Sequence, residues 1–347
     1  MANPTTLASR RKKTSPIPMA RVLVPVVLGV IGMFALGHFY GDSRASQPTA
    51  AWMAEIGARA GAADGSVLFA DGSGIRELRL SDGKKYPVLL RAPNGRPMRS
   101  PALSPDGRTL AFVEESGALE AAVMQRDLSA PNAKAAEVFR AAAVGPIGFS
   151  PSGRAYAFAA REGAPGTGGS IVVVEDGKPR TLAAGRAEVG PATAMPPSFS
   201  ADGSLLAFTG REGTIEVVDP ATGAPTQHFA GADPAFAGAA ALGFEWDGLR
   251  YRTAFPPEVA GKERTVAARE FEHAISRERR RSPLAYSPGG ELAFFVRATG
   301  AHHTFPPGAG REDVQELCIL DVATARIVVV DSDFDPAGAI SFATVKP

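Results

Sequence analysis

Pro101-Ala-Leu-Ser-Pro-Asp-Gly107, followed by Arg108-Thr-Leu-Ala-Phe-Val113, decides the fold of this chain. Its Ser-Pro-Asp-Gly core reads as a type I turn, with proline at the second position and a left-handed glycine closing a hairpin. The apolar runs on either side are too short for helices and suit strands. The unit recurs. Pro146-Ile-Gly-Phe-Ser-Pro-Ser-Gly153 precedes Arg154-Ala-Tyr-Ala-Phe158, and Pro197-Ser-Phe-Ser-Ala-Asp-Gly203 precedes Ser204-Leu-Leu-Ala-Phe208. Pro283-Leu-Ala-Tyr-Ser-Pro-Gly-Gly290 precedes Glu291-Leu-Ala-Phe-Phe295. A degenerate copy, Leu242-Gly-Phe-Glu-Trp-Asp-Gly248, reads as the turn between the first two strands of a further unit.

The turn glycines at 107, 153, 203, 248 and 290 stand about 42–50 residues apart, the period of a propeller blade or a helical repeat. Strand content decides for the blade. Third strands follow the hairpins at residues 170–175, 214–219 and 317–322, and fourth strands at 180–183, 225–229 and 327–330. A four-stranded meander cannot bury both faces alone, whereas stacking around an axis buries them. The chain ends point to closure. Residues 66–90 hold second, third and fourth strands with no first strand before them, and residues 339–343 hold a first strand with nothing after it. The expected fold is therefore an all-β, six-bladed propeller whose first blade is completed by the C-terminal strand. The other five blades begin near residues 98, 145, 195, 240 and 282, the fifth drawing its third and fourth strands from residues 264–275.

The rest of the sequence frames that domain. Gly (38) and Pro (29) are scattered, as many turns between short strands require. Lys+Arg (37) balance Asp+Glu (36), so no broad basic field for nucleic acid exists. The one cysteine, Cys318, excludes an intramolecular disulfide and a multi-cysteine metal site. Residues 22–40 carry no Asp, Glu, Lys or Arg and are long enough for a spanning helix of about 20 residues. Arg10, Arg11, Lys12 and Lys13 precede them, which places the N-terminus in the cytoplasm. A cleaved signal peptide is the competing reading, with Ser43-Arg44-Ala45 as its cleavage site. Both readings export the C-terminal domain. The expected organisation is a cytoplasmic basic tail (1–21), a transmembrane helix (22–40), a linker (41–64) and the propeller (65–347).

The Ser-Pro-Asp-Gly and Leu-Ala-Phe units resemble the repeats of TolB-type six-bladed propellers, relatives of WD-repeat proteins. The likeness covers about residues 65–345. It implies a propeller that binds partners without chemistry of its own. The N-terminal α/β domain of TolB has no counterpart here, so no partner-contact residue is carried over.

Each candidate site has a bland reading. Asp106, Asp202 and Asp247 repeat at equivalent turn positions, which argues for turn geometry over catalysis. Asp331-Ser-Asp-Phe-Asp335 alternates carboxylates, but Pro336 follows and no later Glu completes a calcium loop. His302 and His303 fall in a Gly/Pro-rich insertion in the sixth blade, where adjacent side chains point opposite ways and chelate poorly. Arg277, Arg279, Arg280 and Arg281 form a short basic run that fits either an acidic partner or a solvated connection. These histidines and arginines are the partner-binding candidates. Gly-x-Ser-x-Gly, Gly-x-x-x-x-Gly-Lys-[Ser/Thr] and His-Glu-x-x-His do not occur, so no catalytic, cofactor or metal residue is expected. The function expected is a membrane-anchored scaffold in the cell envelope that binds a protein or envelope component. The alternatives are an enzyme or ligand binder with its site at the central channel, and a structural subunit of a larger membrane complex.

Overall fold

The computed structural model describes residues 65–71, 74–79, 89–92, 96–117, 120–130, 132–189, 194–236, 241–246, 249–254, 282, 284–287, 292–302, 313–321, 326–331 and 341–344. Apart from a single turn of 3-10 helix at Arg211–Gly213, every regular element among them is a strand. Strands β1 (Gly65–Asp71), β2 (Gly74–Arg79) and β3 (Leu90–Arg91) form the first sheet together with the last strand of the chain, β24 (Ser341–Thr344). The second sheet is β4 (Met98–Leu103), β5 (Thr109–Gly117), β6 (Glu120–Asp127) and β7 (Ala136–Ala141). In the third, the inner strand is split into β8 (Ala143–Val144) and β9 (Gly148–Phe149), both pairing β10 (Ala155–Arg161). It continues through β11 (Gly169–Glu175) to β12 (Lys178–Ala187). The fourth is β13 (Ser198–Phe199), β14 (Leu206–Thr209), β15 (Thr214–Val218) and β16 (Pro225–Ala230). The fifth has three strands, β17 (Ala232–Phe236), β18 (Ala241–Trp246) and β19 (Leu249–Ala254). The sixth is β20 (Ala285–Tyr286), β21 (Leu292–His302), β22 (Asp313–Asp321) and β23 (Arg326–Asp331).

Alternation along the strands makes both faces of each sheet apolar, and the two faces pack on different neighbours. On β1, Val67 and Phe69 join Leu292, Phe294 and Val296 of the sixth sheet, while Leu68 and Ala70 join Met98, Leu110 and Phe112 of the second. The second and third sheets share a cluster around Val113, Val123, Tyr156 and Phe158. Ile171 and Val173 meet Phe199 and Phe208 between the third and fourth. Ile215 and Val217 meet Leu242 and Phe244 between the fourth and fifth. Ala235 of the fifth joins Phe295, Cys318 and Leu320 of the sixth. The six interfaces follow one another back to the start, so the sheets form a closed β-propeller with five complete blades and the three-stranded fifth sheet among the described residues.

The closing seam is the one the sequence calls for. β24 runs antiparallel to β1, with Leu68 opposite Ser341, Val67 opposite Phe342, Ser66 opposite Ala343 and Gly65 opposite Thr344. One expectation needs correction. The fifth sheet begins at β17, near residue 232 rather than 240, and β18 and β19, whose ends Trp246 and Leu249 are partners, are its second and third strands. Asp-Gly suits any two-residue hairpin, so Gly248 marks a turn without saying which one. Residues 264–275 lie outside the described residues, as do the tail, spanning segment and linker of residues 1–64. No helix among the described residues is long and apolar enough to cross a membrane.

Candidate functional site

The recurring turns are built around serine. Ser104 N–H donates to Thr109 O at 2.8 Å, and its hydroxyl oxygen accepts from Thr109 N–H at 2.8 Å. Ser200 does the same with Leu205 (2.9 and 2.9 Å), Ser150 with Ala155 (2.8 and 3.2 Å) and Ser287 with Leu292 (2.9 and 3.1 Å). All four serines are buried. Asp106 and Asp202 cap this arrangement from outside. Each accepts from the serine hydroxyl, at 2.5 and 2.6 Å, and from the backbone N–H two residues on, at 3.1 and 3.0 Å. These bonds to the ionised form hold Asp106 below the usual carboxylate range and Asp202 at about 2. Asp106 and Asp202 are therefore turn residues, and Asp247 lies outside the described residues. The repeated serine was the more informative signal in the sequence, because its hydroxyl satisfies a buried N–H.

A second recurrence sits at the opposite end of the inner strands: Ser100-Pro101, Gly145-Pro146, Pro196-Pro197 and Asp233-Pro234. An inner strand shows one edge to the axis, and proline removes a donor that would find no strand there. Ser100 and Asp233 both have φ of 52°, at matching bulges where the register slips between Arg99 and Ala102 and between Ala232 and Ala235. Arg99 braces its bulge, with Nε 2.6 Å from Glu115 Oε1 and Nη2 donating to Val144 O of the third sheet at 2.8 Å.

The inner strands of all six sheets enclose an axial cavity of about 490 Å³. Phe149, Phe199, Phe236 and Tyr286 line it, one from each of four successive sheets, with prolines between them. Among the described residues that line it, none is Asp, Glu, Lys, Arg or His, in a chain that is 21% charged. Met195, with Pro146 and Pro197, also lines a smaller cavity of about 110 Å³. Two bonds hold it there. Met195 N–H donates to Asp233 Oδ1 at 2.9 Å, and Sδ accepts from Leu284 N–H of the sixth sheet at 3.0 Å. Asp233 is fixed in turn by its own N–H donating to Thr209 Oγ1 at 2.8 Å.

The arginines at 277, 279, 280 and 281, His303, and Asp333 and Asp335 lie outside the described residues. His302 ends β21 opposite Asp313, so the strand runs further into the expected loop than the sequence suggested. Among the described residues no three His, Cys, Asp or Glu come together as metal ligands. Cys318 is fully buried on β22, and burial pushes its thiol up to about 12. The sequence reasoning did not identify the axial lining. Its signal was legible in the prolines and aromatics that precede each turn at a constant register.

No family model matches the sequence, and no curated protein matches it. Solved structures do. TolB from Acinetobacter baumannii aligns with 88% of this chain and 73% of its own, at 15% identity and a TM-score of 0.57. A chain of a nidogen/laminin complex aligns over 82% of this chain and all of its own, at 13% identity and a TM-score of 0.54. At such identities the likeness concerns the fold. Together with the repeated turns and the closed ring of sheets, it shows that the chain is a β-propeller similar in fold to TolB.

Proposed function

We propose that the chain is a membrane-anchored, extracytoplasmic propeller of six blades that acts as a non-enzymatic scaffold, binding a protein or other envelope component at the mouth of its axial cavity. The basic cluster at residues 10–13 and the uncharged segment at 22–40 support the anchor and its orientation. The fifth sheet counts as a full blade in this reading, with residues 255–281 long enough to supply the outer strand that would complete it.

One observation carries the scaffold reading: among the described residues the axial lining offers no charged side chain. General acid–base and metal chemistry need titratable groups converging on a reacting atom. An uncharged, aromatic-lined depression suits recognition instead. One of the structures that this chain resembles comes from a two-protein complex, which supports a protein as the partner class.

Site-specific photo-crosslinking in the native envelope tests this. A photoreactive residue at the exposed Ala201, on the turn at the cavity mouth, should capture one dominant partner. The same residue at the exposed His228, on the outermost strand β16, should not. Equal capture at both positions would remove the mouth as the binding face. Recovery of the chain in the soluble cytoplasmic fraction would remove the anchor.

A further inference from the structure

We infer that Met195 is an oxidation-sensitive latch: conversion of its thioether to a sulfoxide by a hydroperoxide loosens the contact between the fifth and sixth sheets. This goes beyond the scaffold reading and needs neither the anchor nor a protein partner. Met195 leads into β13 of the fourth sheet, yet its two hydrogen bonds go to Asp233 of the fifth and to Leu284 at the start of the sixth. One residue thus ties three consecutive sheets. Arg99 and Ser282 stand at the same register, before the turn serines Ser104 and Ser287 as Met195 stands before Ser200. They make ties as well, Arg99 donating to Val144 O and the Ser282 hydroxyl oxygen accepting from Val296 N–H. Of the three, Met195 is the one that does so through an oxidisable atom.

The bonded side of the thioether has no room for another atom. Sδ lies 3.0 Å from Leu284 N, so an oxygen placed between them would be closer to both than a hydrogen bond allows. Relief would require the first strand of the sixth sheet to move outward. An oxygen pointing the other way would enter the cluster that Met195 forms with Ala235, Phe295, Cys318 and Leu320. It would also leave Leu284 N–H, on a residue only 2% exposed, facing a positively polarised sulfur. Both outcomes strain the same contact. Met195 borders the cavities of about 490 and 110 Å³ and is 8% exposed, against 1% for Met98 in the core. Hydrogen peroxide is uncharged and little larger than water, which fits spaces of this size. The step balances: sulfur gains one peroxide oxygen and gives up two electrons, the O–O bond breaks, and water leaves. A thiol-dependent reductase reverses it, two thiols becoming a disulfide as the oxygen departs as water.

Cys318 supplies the readout. It is the one cysteine of the chain, fully buried in the same cluster, with its thiol pushed up to about 12. The purified full chain would be treated with hydrogen peroxide, quenched with catalase and labelled with N-ethylmaleimide, and peptide mass spectrometry would follow each methionine and Cys318. Met195 should gain one oxygen at least about threefold faster than Met98. Maleimide labelling of Cys318 should rise about tenfold or more with that oxidation, a sulfinic or sulfonic acid at Cys318 counting equally as opening. The melting temperature should fall by about 3 °C or more. Met195→Leu keeps an apolar side chain without sulfur, and its Cys318 labelling should not respond to peroxide. Met195→Gln, which places a polar oxygen there permanently, should label without peroxide. Circular dichroism checks that each variant folds, and the wild-type time course stands without them. Oxidation of Met195 no faster than that of Met98 would overturn the proposal. So would a Cys318 that stays closed once Met195 is oxidised, or an equal peroxide response in folded Met195→Leu. Partner capture at Ala201 is read separately, so either idea can fail alone.

Discussion

Ser200 and Asp202 share one turn but differ in what their loss should do. Ser200 is buried and its hydroxyl oxygen is the acceptor for Leu205 N–H. Ser200→Ala leaves that N–H without its partner and should destabilise the domain by about 1–3 kcal/mol in denaturant unfolding. Asp202 is exposed, and hydrogen bonds from Ser200 and Ser204 hold its pKa at about 2, against an ordinary 3.8. A depressed carboxylate adds stability above its unfolded pKa, and that stability is lost as pH falls through the folded one. Melting temperatures of wild type and Asp202→Asn should therefore differ above about pH 4 and converge toward pH 2. A constant gap down to pH 2 would show that the carboxylate's charge is not the stabilising feature.

At the scale of the element, the inner strands approach one another closely enough to dictate residue size. A Cβ on Gly148 of β9 would fall on the carbonyl oxygen of Pro197 in the next sheet. Gly148→Ala should cost about 1–3 kcal/mol, because the backbone it meets cannot rotate away. Gly117, at the end of β5, has nothing within 4 Å of the same added atom. Gly117→Ala should be neutral or stabilising by up to about 1 kcal/mol, and parallel denaturant curves compare the two. The same crowding explains what the sequence made legible. Four turns keep Ser, Gly and flanking apolar residues because a buried serine and a left-handed glycine have few substitutes, and the second, third, fourth and sixth sheets could be read from them. The fifth lacks the serine. Its first strand, Ala232-Asp-Pro-Ala-Phe236, is anchored instead through Asp233 to Met195 and Thr209, contacts that local spacing cannot reveal. The axial site was hidden for a related reason. Its residues lie on six strands and are brought together only by the ring.

For the whole molecule, the β1–β24 pairing is the one covalently discontinuous blade. Deleting residues 341–347 removes the inner strand of the first sheet and exposes the apolar faces it shares with its neighbours. Calorimetry should show a melting temperature lower by roughly 5 °C or more and a broader transition. Deleting only residues 345–347, which lie beyond β24, should change nothing. Similar melting of the two truncations would mean that the ring holds without its last strand.

The geometry of that pairing also sets how the ring responds to force. Gly65 begins β1 and Thr344 ends β24, and the two are partners at the same end of the ladder. Tension between the two chain termini would therefore peel the hydrogen bonds apart one pair at a time, instead of shearing the whole row together. Under pulling, the seam is a zipper with its tab at the outermost rung, and the propeller would open there while the other five sheets are still folded.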